Sequence, residues 1–155
     1  MNPEWHSFLL AHATCTGQAQ GGVIADLSHL GLIAVEGADA AVFLQGQFSN
    51  DLNQVTATRS QLSAWCNAKG RVLALMRVFR HADTYYLQLP RDILATTLKR
   101  LQMYVLRSQV TLKEASDTLI SIGLSGTDVT AQLTHMLHTA PPSADGVLHG
   151  DGDSR

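Results

Sequence analysis

Residues 62–80, LSAWCNAKGRVLALMRVFR, read as two strands folded back on each other. The arms are Leu62 to Cys66 and Arg71 to Arg80, and the turn is Asn67-Ala68-Lys69-Gly70. Glycine supplies a positive φ at such a turn, and asparagine bonds its own backbone two residues on. Within the second arm, Val72 to Met76 is apolar without a break, which predicts that both of its faces are covered. Thr84 to Leu89 is dense in aromatic and aliphatic residues and reads as a third strand, punctuated by Pro90-Arg91-Asp92.

On either side of this block, strands and helices alternate irregularly. Residues 5 to 16 fit a short helix, broken by Gly17 to Gly22. Val23 to Leu27 and Leu30 to Val35 read as short strands around Ser28-His29. Gly37-Ala38-Asp39 opens a helix through Leu44, with Asp39 as its cap or first-turn acid. From about Asp92 to Leu106, Ile93, Leu94, Leu98, Leu101 and Val105 recur at helical spacing, with Lys99, Arg100 and Arg107 elsewhere. Val110 to Leu112 and Leu119 to Leu124 read as strands, and 126–137 as a helix. Hairpins mixed with strand-helix-strand units predict an α+β fold, with a mixed, largely antiparallel sheet and packed helices. From Ala140-Pro141-Pro142 onward the chain is polar and without period. Its last residues, Gly-Asp-Gly-Asp-Ser-Arg, are an unfinished place to end a core, so the intact protein is expected to continue beyond Arg155.

Composition narrows the function. A chain of 155 residues, 45% apolar and 15% charged, is an ordinary globular protein. No apolar run approaches the roughly 20 residues of a membrane span, and no basic start marks a secretory signal. Cys15 and Cys66 are too few for a disulfide framework, and nothing pairs them at metal-ligand spacing. These features place the chain in the cytoplasm. The net charge of −2 conceals an asymmetry. Between Arg59 and Lys113, ten cations against Asp83 and Asp92 give +8, while Arg155 against eleven acids gives −10 elsewhere. Such a segment forms either a cationic surface that accepts an anion or a set of solvated side chains.

Three stretches carry a family likeness. Asp26-Leu27-Ser28-His29-Leu30-Gly31 resembles the first motif of the glycine-cleavage T-protein superfamily, and Phe43-Leu44-Gln45-Gly46-Gln47 with Asn50-Asp51 resembles that family's helix end. Cys66 to Val72, with Met103 to Leu112, resembles the YgfZ branch in particular. The resemblance runs from about residue 22 to residue 113. It implies a T-protein-like fold with ferredoxin-like elements, in which tetrahydrofolate sits in a cavity shared between domains. It divides the chain into a helix and linker (1–21), the amino-terminal part of a folate-binding domain (22–140) and a polar tail (141–155). In the aminomethyltransferases an aspartate four to six positions beyond the hairpin glycine handles the folate amine. Here that stretch is Leu73-Ala74-Leu75-Met76, and acid-base chemistry by that route lacks its ionisable group. The family asparagine near the end of the third strand is also replaced, by Pro90. Both departures favour the YgfZ branch. That branch carries a Lys-Gly-Cys-Tyr/Phe-x-Gly-Gln/Glu signature in its second half, which this chain lacks, and the intact protein is expected to contain it.

The implied function is folate binding in support of iron-sulfur cluster maintenance and dependent tRNA modification, with iron-sulfur enzymes as partners. The competing classes are an aminomethyltransferase and an RNA-binding module using residues 59–113. For the latter, no aromatic residues interleave with the cations in a stacking pattern. Candidate ligand-binding residues are Leu30, Asp51, Lys69, Arg71 and Arg77, with no catalytic or metal-binding residue. Asp51 fits a pterin contact or a turn cap equally, and Lys69 and Arg71 fit a ligand's anionic tail or a solvated turn. Arg77 interrupts an apolar strand, so its guanidinium needs a partner. His29 fits a cavity-mouth contact or a structural hydrogen bond, and Cys66 fits a small buried hydrophobe. His135 and His138 share a helix but lack a third ligand.

Overall fold

Side chains along a strand alternate between faces, and that alternation organises this molecule. The computed structural model describes residues 3–12 and 22–149. Its elements are α1 (Pro3–His12), β1 (Gly22–Asp26), β2 (Leu30–Glu36), α2 (Ala40–Gln45), a 3-10 turn (Leu52–Gln54), β3 (Gln61–Cys66), β4 (Val72–His81), β5 (Thr84–Pro90), α3 (Arg91–Met103), β6 (Thr111–Glu114), β7 (Ile122–Gly126) and α4 (Val129–Leu137). Five strands form one sheet in the order β3-β4-β5-β2-β6, with every neighbouring pair antiparallel. The fold is thus α+β, as the hairpins predict. Cys15 and the rest of the 13–21 segment lie outside the described residues.

One face of this sheet is the core. Ile33, Val35, Met76, Val78 and Leu87 project from it and are essentially fully buried. They meet Phe43 and Leu44 of α2, and Leu94 and Leu101 of α3. Ile93, Leu98 and Val105 pack against the same cluster, so the helical spacing correctly marks the inward stripe. Two glycines are required by close approach. Leu94 and Ser116 Oγ occupy the space where a Cβ on Gly31 would lie. Gly37, at φ +122°, sits against the backbone of Gln109 and Val110.

Local chemistry settles the hairpin turn. Asn67 Oδ1 accepts from the backbone N–H of Lys69 (2.9 Å) and Arg71 (3.0 Å), and Gly70 has φ +76°. Asp39, by contrast, does not cap α2 with its side chain. Its carboxylate accepts the Gln109 N–H at 2.7 Å and ties the α2 entry to the segment before β6. The α3 helix stops at Met103 rather than Leu106, because the chain turns there to bring Val105 and Val110 back onto the core.

One expectation fails. The run Val72 to Met76 is not covered on both faces, since Val72 and Leu75 are 55% and 64% exposed. The strands expected on either side of Ser28-His29 form as β1 and β2. β1 pairs with β7 as a separate two-stranded ribbon, and α4 beside it buries no residue. Apolar composition records a tendency to be covered, whereas the covering element is a tertiary fact.

Candidate functional site

The second face of the five-stranded sheet carries the chemistry. Leu32, Gln88, Arg77 and Leu62 form one cross-strand row over β2, β5, β4 and β3. Beside it runs a row of Ala34, Tyr86 and Phe79, whose two rings stack with centroids 5.3 Å apart. Leu62, Val72 and Leu75 are exposed on the same hairpin. A guanidinium and a carboxamide thus stand beside stacked rings on an otherwise apolar, partly open surface.

Arg77 is half-buried and has partners. Its Nη1 donates to Ser60 Oγ at 2.9 Å and to Asp145 Oδ1 at 2.8 Å. Gln88 Nε2 lies 3.4 Å from Ser121 Oγ. Leu30 shares a strand face with Leu32 and lines with it a cavity of about 20 Å³ bounded by Asp26, Ser28, Arg91 and Ser116. That space suits a water molecule, not a pterin. Asp51 is exposed and accepts the Asn53 N–H at 3.0 Å, which caps the 3-10 turn. Lys69 and Arg71 are exposed at the hairpin turn. Six residues of strand separate Arg71 from Arg77, about 20 Å at the usual rise, so the hairpin cations do not converge. His29 is exposed, and its carbonyl accepts the Arg91 N–H at 2.9 Å. Cys66 is half-buried and free. Among the described residues no cluster of three or more His, Cys, Asp and Glu could hold a metal ion, and no helix is long and apolar enough to cross a membrane.

The charge asymmetry is cancelled in part in space. Arg77 pairs with Asp145, Lys113 with Glu36 (2.9 Å), and Arg91 approaches Asp117 at 3.9 Å. All three acids lie outside the basic segment. Within it, Arg80 pairs with Asp83 and stacks over Tyr85. The fold therefore returns three of the segregated acids to three of the cations.

Gln88, Phe79, Tyr86, Ser60 and Asp145 escape the sequence reading. For Phe79, Tyr86 and Gln88 a signal exists, because they alternate with the buried Val78, Leu87 and Leu89 and so must share the opposite face. Nothing local indicates Asp145, which lies 68 residues from its partner.

Asp26, in the first family motif, closes the turn into β2. It accepts from Ser28 Oγ (2.6 Å), Trp5 Nε1 (3.0 Å) and Ser28 N (3.1 Å). The Ser28 hydroxyl is the main cause of a carboxyl pKa below the usual value; burial opposes it, and Trp5 and nearby His29 assist. Folding thus favours the ionised form, and its contribution is complete above the ordinary carboxylate range. It is lost as pH falls through the folded-state value. Asp26→Asn should cost about 1 kcal/mol at pH 7 and progressively less toward pH 3. Urea unfolding at the two pH values measures this; an equal loss at both would contradict the assignment.

Helices cover one face of the antiparallel sheet, and on the other Leu32, Ala34 and Ala115 are buried beside half-buried Phe79 and Tyr86, while Leu62 and Leu75 are exposed. Comparisons with known proteins give this fold a family. The GCVT N-terminal domain model matches residues 3–150. Among curated proteins, the chain is 31% identical over 123 residues to the tRNA-modifying protein YgfZ of Klebsiella pneumoniae (strain 342), covering 79% of this chain and 37% of the relative. It is 30% identical over 118 residues to the protein of the same name from Sodalis glossinidius (strain morsitans), covering 76% and 36%. Among solved structures, the glycine cleavage system aminomethyltransferase T from Bartonella henselae superposes with a TM-score of 0.65 at 22% identity, over 74% of this chain and 32% of that one. The chain belongs to the GCVT N-terminal domain family and, within that superfamily, is of the YgfZ type. It spans little more than a third of the length of these curated relatives.

Proposed function

We propose that this chain supplies one wall of a tetrahydrofolate site, in a cytoplasmic protein that supports iron-sulfur cluster maintenance and the tRNA modification dependent on it. The observation that carries the reading is the row Leu32–Gln88–Arg77–Leu62 beside the stacked Phe79 and Tyr86. A folate combines a flat heteroaromatic ring with donors and acceptors on its edge and a carboxylate-bearing tail. The carboxamide of Gln88 offers both hydrogen-bond roles, Arg77 offers a charge-assisted bond to a carboxylate, and the apolar surroundings suit the ring. Residues 22–140 are the folate-binding unit on this reading, and the similarity to tRNA-modifying proteins supports the link to tRNA modification.

Aminomethyl transfer is not favoured. Residues 73–76 carry no carboxylate, so the hairpin has no group there to take or give a proton. RNA binding through residues 59–113 loses ground to the ion pairs that neutralise part of that segment.

Titration of tetrahydrofolate into the full-length protein at fixed salt tests the reading. Arg77→Gln should weaken binding about 10- to 100-fold, the worth of a charge-assisted bond. Arg100→Gln, on the exposed side of α3, should change it by less than about twofold. Equal effects of the two substitutions would reject this face as the site.

A further inference from the structure

The residues after α4 hold the guanidinium that the proposed site needs. The segment 142–149 runs beside the start of β3. Ser60 N donates to the Asp145 carbonyl at 2.8 Å, and Val147 N to the Thr58 carbonyl at 2.9 Å. Arg59 and Gly146 form a bridge, and His149 Nε2 meets the Ala57 carbonyl at 2.7 Å. At the far end, His149 Nδ1 and His81 Nδ1 lie 3.0 Å apart. In the middle, the Asp145 carboxylate occupies Arg77, while Asp145 itself sits at φ +62°.

We propose that residues 142–149 form a releasable strap whose Asp145 carboxylate stands in for an anionic group of the ligand. Binding a ligand carboxylate at Arg77 displaces the strap. The inference rests on the folate reading of this face and adds a regulatory contact to it.

Three observations point to release rather than permanent docking. The contacts described above are hydrogen bonds and one ion pair, and no residue from 142 to 149 is fully buried. Segments with few apolar anchors occupy the low-stability end of a fold and open locally. Secondly, the Arg77–Asp145 pair is half-exposed, with side chains 37% and 54% accessible, and such pairs are weak against a competing anion. Thirdly, a left-handed backbone at a non-glycine residue is mildly strained, so release relaxes Asp145. The strap also joins Arg77 to Ser60, whose hydroxyl donates to the Asp145 carbonyl at 3.1 Å. A ligand that takes Arg77 therefore loosens both ends of one short network.

A ligand competing with an internal carboxylate binds more tightly once that carboxylate is gone. In the full-length protein, Asp145→Asn should therefore tighten tetrahydrofolate binding about 3- to 10-fold. In an Arg77→Gln background the same change should have no effect, because the contested group is absent. Amide hydrogen exchange at Ser60 and Val147 provides a readout that does not depend on affinity. Both amides should exchange faster when tetrahydrofolate saturates the wild-type protein, and faster without ligand in Asp145→Asn. Binding with unchanged exchange at Ser60 and Val147, or weaker binding by Asp145→Asn, overturns the strap and leaves the folate site standing. Failure of the wild-type protein to bind tetrahydrofolate overturns both.

Discussion

Leu87→Ala should lower the unfolding free energy of the full-length protein by about 2–5 kcal/mol, the range for truncating a buried leucine. Leu87 is fully buried at the centre of the five-stranded sheet, facing Ile33 on one side and Val78 on the other. The lost methyl groups cost their transfer free energy, and the void costs more, because two cross-strand neighbours on a continuous sheet have little freedom to close it. Leu75 provides the matched control. It sits on the next strand, β4, but on the opposite face and is 64% exposed. Leu75→Ala should change stability by no more than about 0.5 kcal/mol. Urea denaturation of the two variants measures the difference between the faces directly. Similar losses would mean that the second face is covered in the intact protein and unavailable as a ligand wall.

The second large effect is expected at Gly37. Alanine there carries two costs, strain at φ +122° and collision of its Cβ with the Gln109 carbonyl, with Val110 Cα 3.0 Å away. The collision is with backbone, so no side-chain rotation relieves it. The same turn is held by Ala40 N on the Gly37 carbonyl and by Asp39 on Gln109, so a shift would carry the entries to α2 and β6 with it. Gly37→Ala should cost at least about 3 kcal/mol, from strain of about 1–3 kcal/mol plus the clash. Gly70→Ala separates these contributions. Gly70 also has positive φ, but nothing lies within 4 Å of its would-be Cβ. It should cost about 1 kcal/mol, from backbone strain alone. Equal losses at the two positions would remove the steric argument.

Much of the local structure was legible in the sequence. Asn67 through its side-chain carbonyl and Gly70 through the positive φ that a missing Cβ permits specify the hairpin turn, with no help from distant residues. Helical spacing in 93–105 picks out the stripe that meets the sheet, because periodicity is a property of the backbone itself. The three blocks in order also identified the family. The failures share a different character. Val72 and Leu75 are as apolar as Met76, yet they are exposed, since the residues that reach the second face cover Leu32, Ala34 and Arg77 instead. Asp39 has the chemistry of a helix cap but bonds to Gln109, because the chain brings a nearer competing donor.

The candidate site divides along the same line. Sequence alone determined that Arg77 interrupts an apolar strand and needs a partner, that residues 73–76 carry no carboxylate, and that cations concentrate between Arg59 and Lys113. Only tertiary structure decided that β5 lies between β4 and β2, so that Gln88 stands beside Arg77 and Tyr86 beside Phe79, and that Asp145 completes the ion pair. Strand alternation and turn chemistry act over a few residues and are written locally. Which strands are neighbours, and which distant carboxylate reaches a half-buried guanidinium, depends on chain closure over some 70 residues, and no local pattern encodes that.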